Sequence, residues 1–259
     1  METSEHIATI GQDAKLLAEA ARRGGLEVGI EPCPGWSMRD LVRHLGMIHL
    51  WAASHVAFPH DEPEYESEDE EHTAFAEFWP ELGIFWPDDG DLIDWYLRTN
   101  ANLVDSLESA SPVVEAWTFL PAPSPLAMWA RRQAHETAVH RFDAANAVGL
   151  ASGFDPILAA DGIDELVSGF APRKDQFPTT NPRTVVVHAE DTDDRWHLTL
   201  AADGITTIRG DGPADVTLSG AAADIYLTLW NRGKDSTLTV EGDLELLDLW
   251  HNNVRVRWS

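Results

Sequence analysis

The segment 135–140, HETAVH, places two histidines and a glutamate, all metal-binding side chains, within six residues. We predict that it lies in a helix, where each residue turns by about 100°. Glu136 and His140 are four residues apart, about 40° around the helix, so they share a face. His135 and His140 are five apart, about 140°, and cannot easily reach one ion. The spacing therefore favours a Glu136–His140 pair over the H-E-x-x-H arrangement of zinc proteases.

The same helix face carries Arg132 and Asp143, each within about 40° of Glu136. Charged groups on the inner face of a helical bundle cost about a few kcal/mol each unless they are paired, and a bound cation would pair them. The alternative is an exposed face held by surface salt bridges, because a Glu–His pair at this spacing is common. Spacing alone leaves both interpretations open.

A third ligand is available in a second predicted helix, 38–58. His44 lies on the apolar, core-facing side of this helix. His49 lies about 140° around the helix from His44, and His55 is about 16 Å further along it, so neither would share an ion with His44. A lone buried histidine is often only hydrogen-bonded, which is the alternative for His44.

Together, His44, Glu136 and His140 would form a site with two nitrogen ligands and one oxygen ligand. Such a set leaves at least one coordination position open, as in catalytic zinc sites. Iron or nickel would also suit two histidines and one carboxylate.

The order of elements predicts two domains of different class. Four long helices are followed by a unit of short strands and helices, so we expect an α + α/β protein, with a helical bundle at 1–151 and a smaller mixed α/β domain at 152–259. Helices are predicted at 4–23, 38–58, 91–107, 126–148, 156–170, 222–230 and 244–254, and strands at 183–190, 195–202, 204–210, 214–220 and 237–243. Asp203-Gly204 predicts a tight hairpin turn.

Composition excludes several function classes. Eighteen Lys and Arg residues against 44 Asp and Glu give a net charge of −26, which disfavours nucleic acid and anionic membranes as partners. No apolar run is long enough to span a membrane, and the first residues lack the pattern of a signal peptide. The single cysteine, Cys33, rules out an internal disulfide, and we expect a cytoplasmic protein.

The segment 61–71, DEPEYESEDEE, is almost entirely acidic. Runs of like charge repel each other and are usually exposed, so we interpret it as a solvated loop. A metal site built from its carboxylates is the alternative.

Two stretches, PCPGWSMRDLVRHLGMIHLWAA (32–53) and WARRQAHETAVHRFDAANA (129–147), resemble the maleylpyruvate isomerase family of mycothiol-dependent enzymes. LTLWNRGKDSTLTVEGD (227–243) is similar to it more loosely. The resemblance implies a DinB-like four-helix metal-binding bundle followed by a sterol-carrier-protein-like domain. It also implies that His44, Glu136 and His140 hold the metal, the same three residues that helix geometry selects.

The resemblance further implies the cofactors zinc and mycothiol, and a small-molecule substrate. The mycothiol thiolate would add to an activated cis double bond, rotation would follow, and elimination would give the trans product. A related enzyme would use the thiolate for S-transfer to an electrophile. We expect Cys33 to be structural, since free cysteine usually packs as a small hydrophobe, so the reactive thiol would come from outside the chain.

Other residues receive supporting roles. Arg232 is predicted to bind a substrate carboxylate as a catalytic residue, with an ordinary surface arginine as the alternative. Arg132 and Asp143 are expected to orient the metal ligands without binding the ion. Trp36, Trp51 and Trp129 would either wall the cavity or belong to the core.

Two functional hypotheses therefore follow from the sequence. The first is a metal-dependent enzyme with a thiol cofactor, either an isomerase or an S-transferase. The second is a non-catalytic module of the same fold that binds a metal or a small molecule.

Overall fold

The computed structural model describes residues 1–58, 77–82, 87–174 and 176–254. The acidic segment 61–71 lies outside the described residues. The chain divides into two compact units, one of residues Glu2–Ser152 and one of Gly153–Ser259 together with Met1. Within the described residues, no helix combines the length and the apolar character that crossing a bilayer requires.

The first unit is helical, as predicted. Its long helices lie within about two residues of the predicted spans. They are α1 Thr3–Gly24, α2 Met38–Ala57, α3 Asp89–Ser109 and α4 Pro125–Ala147. Their apolar stripes meet in a core that includes the fully buried side chains of Ile10, Leu17, Leu41, Leu45 and Leu103.

The start of α2 is fixed by local chemistry. Ser37 precedes the helix, and both its backbone N–H and its hydroxyl donate to Asp40 Oδ2, at 2.8 and 2.6 Å. These bonds hold the pKa of the Asp40 carboxyl below its usual value. A carboxylate in the first turn also interacts favourably with the helix dipole. His44 follows about two turns after Ser37.

Helix α4 is unusual because polar side chains are buried along it. Ser124 accepts a hydrogen bond from Ala127 N at 3.2 Å, and proline occupies the first turn, so the helix start is well defined. Its buried polar residues are Arg132, Gln133, His135, Glu136, Thr137, His140, Arg141 and Asp143. The alternative of an exposed, salt-bridged face is therefore wrong.

The second unit is a mixed five-stranded sheet with helices, as predicted. Its strands are β1 Arg183–Ala189, β2 Asp194–Ala201, β3 Gly204–Arg209, β4 Val216–Gly220 and β5 Thr239–Gly242. Their order is β3-β2-β1-β4-β5, with β1 and β4 parallel and the other neighbours antiparallel. The β2–β3 turn forms at the predicted place, and Gly204 adopts the positive φ of 129°.

The helices of this unit are α5 Pro156–Asp164, α6 Ala222–Leu229 and α7 Glu245–Asn253. The prediction of one regular helix over 156–170 is only partly right. After Asp164 the backbone widens into a π-helical segment, Glu165–Phe170. π-Helical turns are rare and depend on tertiary packing, so residue spacing does not reveal them.

Candidate metal centre

The three predicted ligands converge between α2 and α4. His44 Nε2 lies 3.1 Å from Glu136 Oε1, and His140 Nε2 lies 3.3 Å from the same oxygen. The two imidazole rings are nearly perpendicular, with centroids 5.3 Å apart. The side chains of His44, Glu136 and His140 are only 15%, 5% and 10% exposed. Two nitrogen atoms and one oxygen atom thus face a common point that is shielded from water.

Two further side chains of α4 hold these groups in place. Asp143 Oδ2 lies 3.0 Å from His140 Nδ1, and its side chain is fully buried. Asp143 is placed to accept the Nδ1 proton, so that a neutral His140 imidazole presents the lone pair of Nε2 to the centre. Arg132 Nη2 donates to Glu136 Oε2 at 3.0 Å, so the second carboxylate oxygen is also fixed. The predicted supporting residues therefore contact the predicted ligands.

The surroundings shift the pKa values of Glu136 and His140 in the direction that favours the charged form of each. Burial would raise the pKa of Glu136, but contacts with His140 and His44 and the charge of Arg132 outweigh it and hold that pKa well below its usual value. Burial likewise disfavours the His140 imidazolium, but Asp143, Cys33 and Glu136 together hold its pKa well above the usual value. The carboxylates of Glu136 and Asp143 thus stabilise positive charge here, which in the absence of a metal is carried by Arg132 and the His140 imidazolium.

The turn before α2 brings Trp36 and Cys33 to the centre. The sequence left Trp36 open between cavity wall and core, and it did not place Cys33 here. Backbone bonds from Ile30 N to Trp36 O and from Trp36 N to Cys33 O close this turn, at 2.9 Å each. The Trp36 ring lies 4.9 Å from the His44 ring and 6.4 Å from the His140 ring, centroid to centroid. Trp36 is thus a wall of the site.

Cys33 Sγ lies 4.0 Å from Asp143 Oδ2, at the far side of the His140 ring from Glu136. The thiol is half-buried. Composition alone gave Cys33 a structural role, because the approach of this turn to α4 is a tertiary contact across 110 residues of sequence. The sequence does contain one signal for this position: Cys33 precedes Trp36 by three residues and the predicted ligand His44 by eleven.

The remaining histidines of α2 do not join the centre, as the helix geometry predicts. His49 Nε2 lies 3.1 Å from Thr137 Oγ1. The His55 ring stacks on Trp129 at 4.7 Å, and Trp51 packs edge-on against the same tryptophan at 4.8 Å. Trp51 and Trp129 therefore belong to an aromatic cluster that lies about two to three turns of α2 beyond His44.

The other histidine of the HETAVH segment, His135, lies away from the centre. Its ring faces that of His6 on α1, with centroids 6.0 Å apart. His135 and His140 thus face different sides of α4, as their five-residue spacing predicts.

Arg232 belongs to the second unit, in the loop after α6. Its side chain is half-buried, and its Nη1 donates to the carbonyl oxygen of Trp230 at 2.9 Å. The preceding residue, Asn231, adopts a positive φ of 60°, and its side-chain oxygen lies 2.7 Å from His251 Nδ1. The loop that carries Arg232 is therefore anchored by its own hydrogen bonds.

Comparison with solved structures identifies the fold. The crystal structure of the mycothiol-dependent maleylpyruvate isomerase superposes with a TM-score of 0.62 over 93% of both chains, at 14% sequence identity. The structure of a histidine-to-alanine mutant of that isomerase matches equally, with a TM-score of 0.62, 14% identity and 93% coverage of each chain. None of the curated proteins compared with this chain matches it.

Family comparison agrees with the structural one. The model of the mycothiol maleylpyruvate isomerase N-terminal domain matches residues 8–145, which is more than half of the 259 residues. The model of the MDMPI C-terminal domain matches residues 158–249. The resemblance inferred from the two motifs is confirmed: the chain belongs to the mycothiol-dependent maleylpyruvate isomerase family.

Proposed function

We propose that this protein is a divalent-metal enzyme that uses the thiol of mycothiol to act on a small, electrophilic, unsaturated substrate, as an isomerase of the maleylpyruvate type. S-transfer from the same thiol to an electrophile is the related activity. The observation that carries the proposal is the convergence of His44, Glu136 and His140 at 3.1–3.3 Å in a shielded position. Membership of the family supports the choice of thiol and of reaction.

The donor set fits a zinc-like ion. Metal–ligand bonds of about 2.0–2.2 Å in a tetrahedral site place neighbouring nitrogen and oxygen ligands about 3.2–3.5 Å apart. The nitrogen–oxygen distances of 3.1 and 3.3 Å are close to that spacing, and the two histidine nitrogens lie within 4.8 Å of each other. A cation held there, zinc above all, supplies Lewis-acid chemistry and lowers the pKa of a thiol that binds beside it.

The chain's own residues prepare the position for such an ion. Asp143 keeps the proton of His140 on Nδ1, so that Nε2 faces the centre, and Arg132 restrains the Glu136 carboxylate. Trp36 covers the His44 and His140 rings and limits the entry of water. A thiol or a substrate atom would bind at the coordination positions that the three ligands leave free.

We assign to Arg232 the recognition of a substrate carboxylate. Its planar guanidinium suits bidentate contact with a carboxylate, and its own loop already holds one of its nitrogens at the Trp230 carbonyl. Replacement by lysine should raise KM more than it lowers kcat, because lysine keeps the charge but loses the bidentate geometry.

The proposal is tested by loading the protein with cobalt(II) and adding mycothiol. The Cys33→Ser variant is used, because Cys33 is the only cysteine and the added thiol is then the sole sulfur ligand. We expect about one cobalt per chain at the proposed ligands, a thiolate-to-cobalt charge-transfer band on adding mycothiol, and mycothiol-dependent conversion of maleylpyruvate to its trans isomer.

Two results would separate the hypotheses. Metal binding without a thiol band and without conversion would favour a non-catalytic binding module of the same fold. A thiol band with conversion of an electrophile to its mycothiol adduct, but no isomerisation, would favour S-transfer.

A further inference from the structure

The imidazole of His140 has donor atoms on both of its sides. Its Nε2 faces His44 and Glu136, whereas its Nδ1 faces Asp143 Oδ2 at 3.0 Å and the Cys33 thiol. Cys33 Sγ, His140 Nδ1 and Asp143 Oδ2 all lie within 4.8 Å of one another. Sulfur, nitrogen and oxygen donors in such a cluster form a ligand set typical of zinc and other thiophilic cations.

We propose that Cys33, His140 and Asp143 form a second cation site, for a thiophilic divalent ion such as zinc, which shares the His140 ring with the first centre. This inference does not depend on mycothiol or on the isomerase activity. It assigns to Cys33 the role of a metal ligand in place of the structural role that composition suggested.

The sulfur–oxygen distance requires only a small adjustment to accept an ion. Zinc–sulfur bonds of about 2.3 Å and zinc–oxygen bonds of about 2.1 Å place the two ligand atoms about 3.6 Å apart in a tetrahedral site. The observed sulfur–oxygen distance is 4.0 Å, so Cys33 would move inward by a few tenths of an ångström. Cys33 lies in a turn outside any helix, and a turn accommodates such a shift more easily than a helix does.

Burial and charge also favour a cation at this position. The Asp143 side chain is fully buried, and an ionised carboxylate in such a place is stabilised by positive charge. Cys33 is only half-buried, which leaves a route for an ion from solvent. An ion here would replace the Nδ1 proton that His140 otherwise donates to Asp143, so binding would release that proton and the Cys33 thiol proton to solvent. With both centres filled, the ring would bridge the two ions as an imidazolate, having lost both of its N–H protons, with no change of oxidation state.

The test is a cobalt(II) titration of the metal-free wild-type protein with no added thiol. We expect two equivalents to bind, and the cobalt at the proposed site to give a thiolate-to-cobalt charge-transfer band in the near ultraviolet. Because the chain contains one cysteine, such a band must come from Cys33. Absence of the band in the wild-type protein at saturating cobalt would overturn the proposal.

Three variants locate the band. Cys33→Ser should remove the band and one of the two equivalents. His44→Ala, which disrupts only the first centre, should retain the band, whereas His140→Ala should lose both equivalents because the ring is shared. Loss of the band in His44→Ala would place the thiolate at the first centre and overturn the second site.

Failure of the second cation site can be distinguished from failure of the proposed function. If the protein shows the band but does not respond to mycothiol, the second site is supported and the proposed enzymatic function is contradicted. If the protein isomerises its substrate but binds only one equivalent of cobalt and shows no band, the enzymatic function is supported and the second site is contradicted.

Discussion

Four charged residues of α4, Arg132, Glu136, His140 and Asp143, lie three or four positions apart and are all buried. Neighbours at this spacing contact each other along a helix, and here each contact is 3.0–3.3 Å long. A buried row of this kind is stable only when every member is paired, since an unpaired buried charge is costly. His44, from α2, extends the row at Glu136. A cation at the first centre would replace the contacts of His44 and His140 with Glu136 Oε1.

At the residue scale, the contact between Asp143 and His140 gives the first prediction. Asp143→Asn removes the charge that holds the Nδ1 proton but keeps the shape of the side chain. Such supporting partners of metal ligands commonly contribute about 10–100-fold in affinity, so we expect zinc affinity at the first centre to fall by about that factor. The measurement is competition with a chromophoric chelator, in the Cys33→Ser background.

A matched control is the same substitution at Asp94. This carboxylate lies on α3 with its side chain 68% exposed, and it pairs with Arg22 at 2.7 Å. Asp94→Asn changes net charge by the same amount and should leave zinc affinity unchanged. Equal affinities for wild type and Asp143→Asn would show that Asp143 does not orient His140.

At the element scale, α2 is positioned by its packing against α3 as well as by its capping residues. Gly46 on α2 is buried, and a Cβ atom added there would overlap the ring of Trp95. Trp95 is itself buried at 1% exposure. The absence of a side chain at this one position lets the two helices approach closely.

We therefore predict that Gly46→Ala lowers the free energy of unfolding by about 1–3 kcal/mol, although alanine is the better helix former, because overpacking a core is costly. Gly11→Ala on α1 is the matched control. A Cβ at Gly11 meets only Val104 Cγ2, at 3.8 Å, so this change should stabilise the protein by up to about 1 kcal/mol. Urea denaturation of both variants measures the difference, and a stabilising Gly46→Ala would contradict the packing.

The sequence predicted most of these elements because their signals are local. Ser37 and Asp40 mark the start of α2, and the four-residue spacing of Glu136 and His140 selects the two residues of α4 that converge with His44. Two features were missed, the position of Cys33 beside Asp143 and the widening of the backbone after Asp164. Both depend on which distant segments pack together, and residue spacing carries no information about that.

At the scale of the whole molecule, stability should depend on pH through groups that folding buries uncharged. His49 is fully buried, and burial lowers its pKa from the ordinary 6.5 to about 3. Between these two values the unfolded chain binds a proton that the folded protein excludes. The stabilising contribution of neutral His49 is therefore complete above about pH 6.5 and is lost progressively as the pH falls toward 3.

The prediction is that His49→Gln flattens the pH dependence of the free energy of unfolding. Between pH 6 and 5, unfolding of the wild-type protein takes up nearly one proton at His49, and unfolding of the variant does not. The free energy of unfolding should therefore change by about 1.4 kcal/mol per pH unit less in the variant than in wild type. Thr137→Val removes the hydrogen-bond partner of His49 but keeps the imidazole, so it should lower stability at every pH without changing the slope. Parallel curves for wild type and His49→Gln would contradict a neutral buried His49.

The most direct test of the account is a crystal of the zinc-loaded protein measured on both sides of the zinc absorption edge. We predict an anomalous peak about 2.0–2.2 Å from His44 Nε2, Glu136 Oε1 and His140 Nε2. In crystals of His44→Ala this peak should be absent. A zinc-loaded wild-type protein with no peak at these three atoms, or with its zinc only on surface carboxylates, would contradict the metal centre.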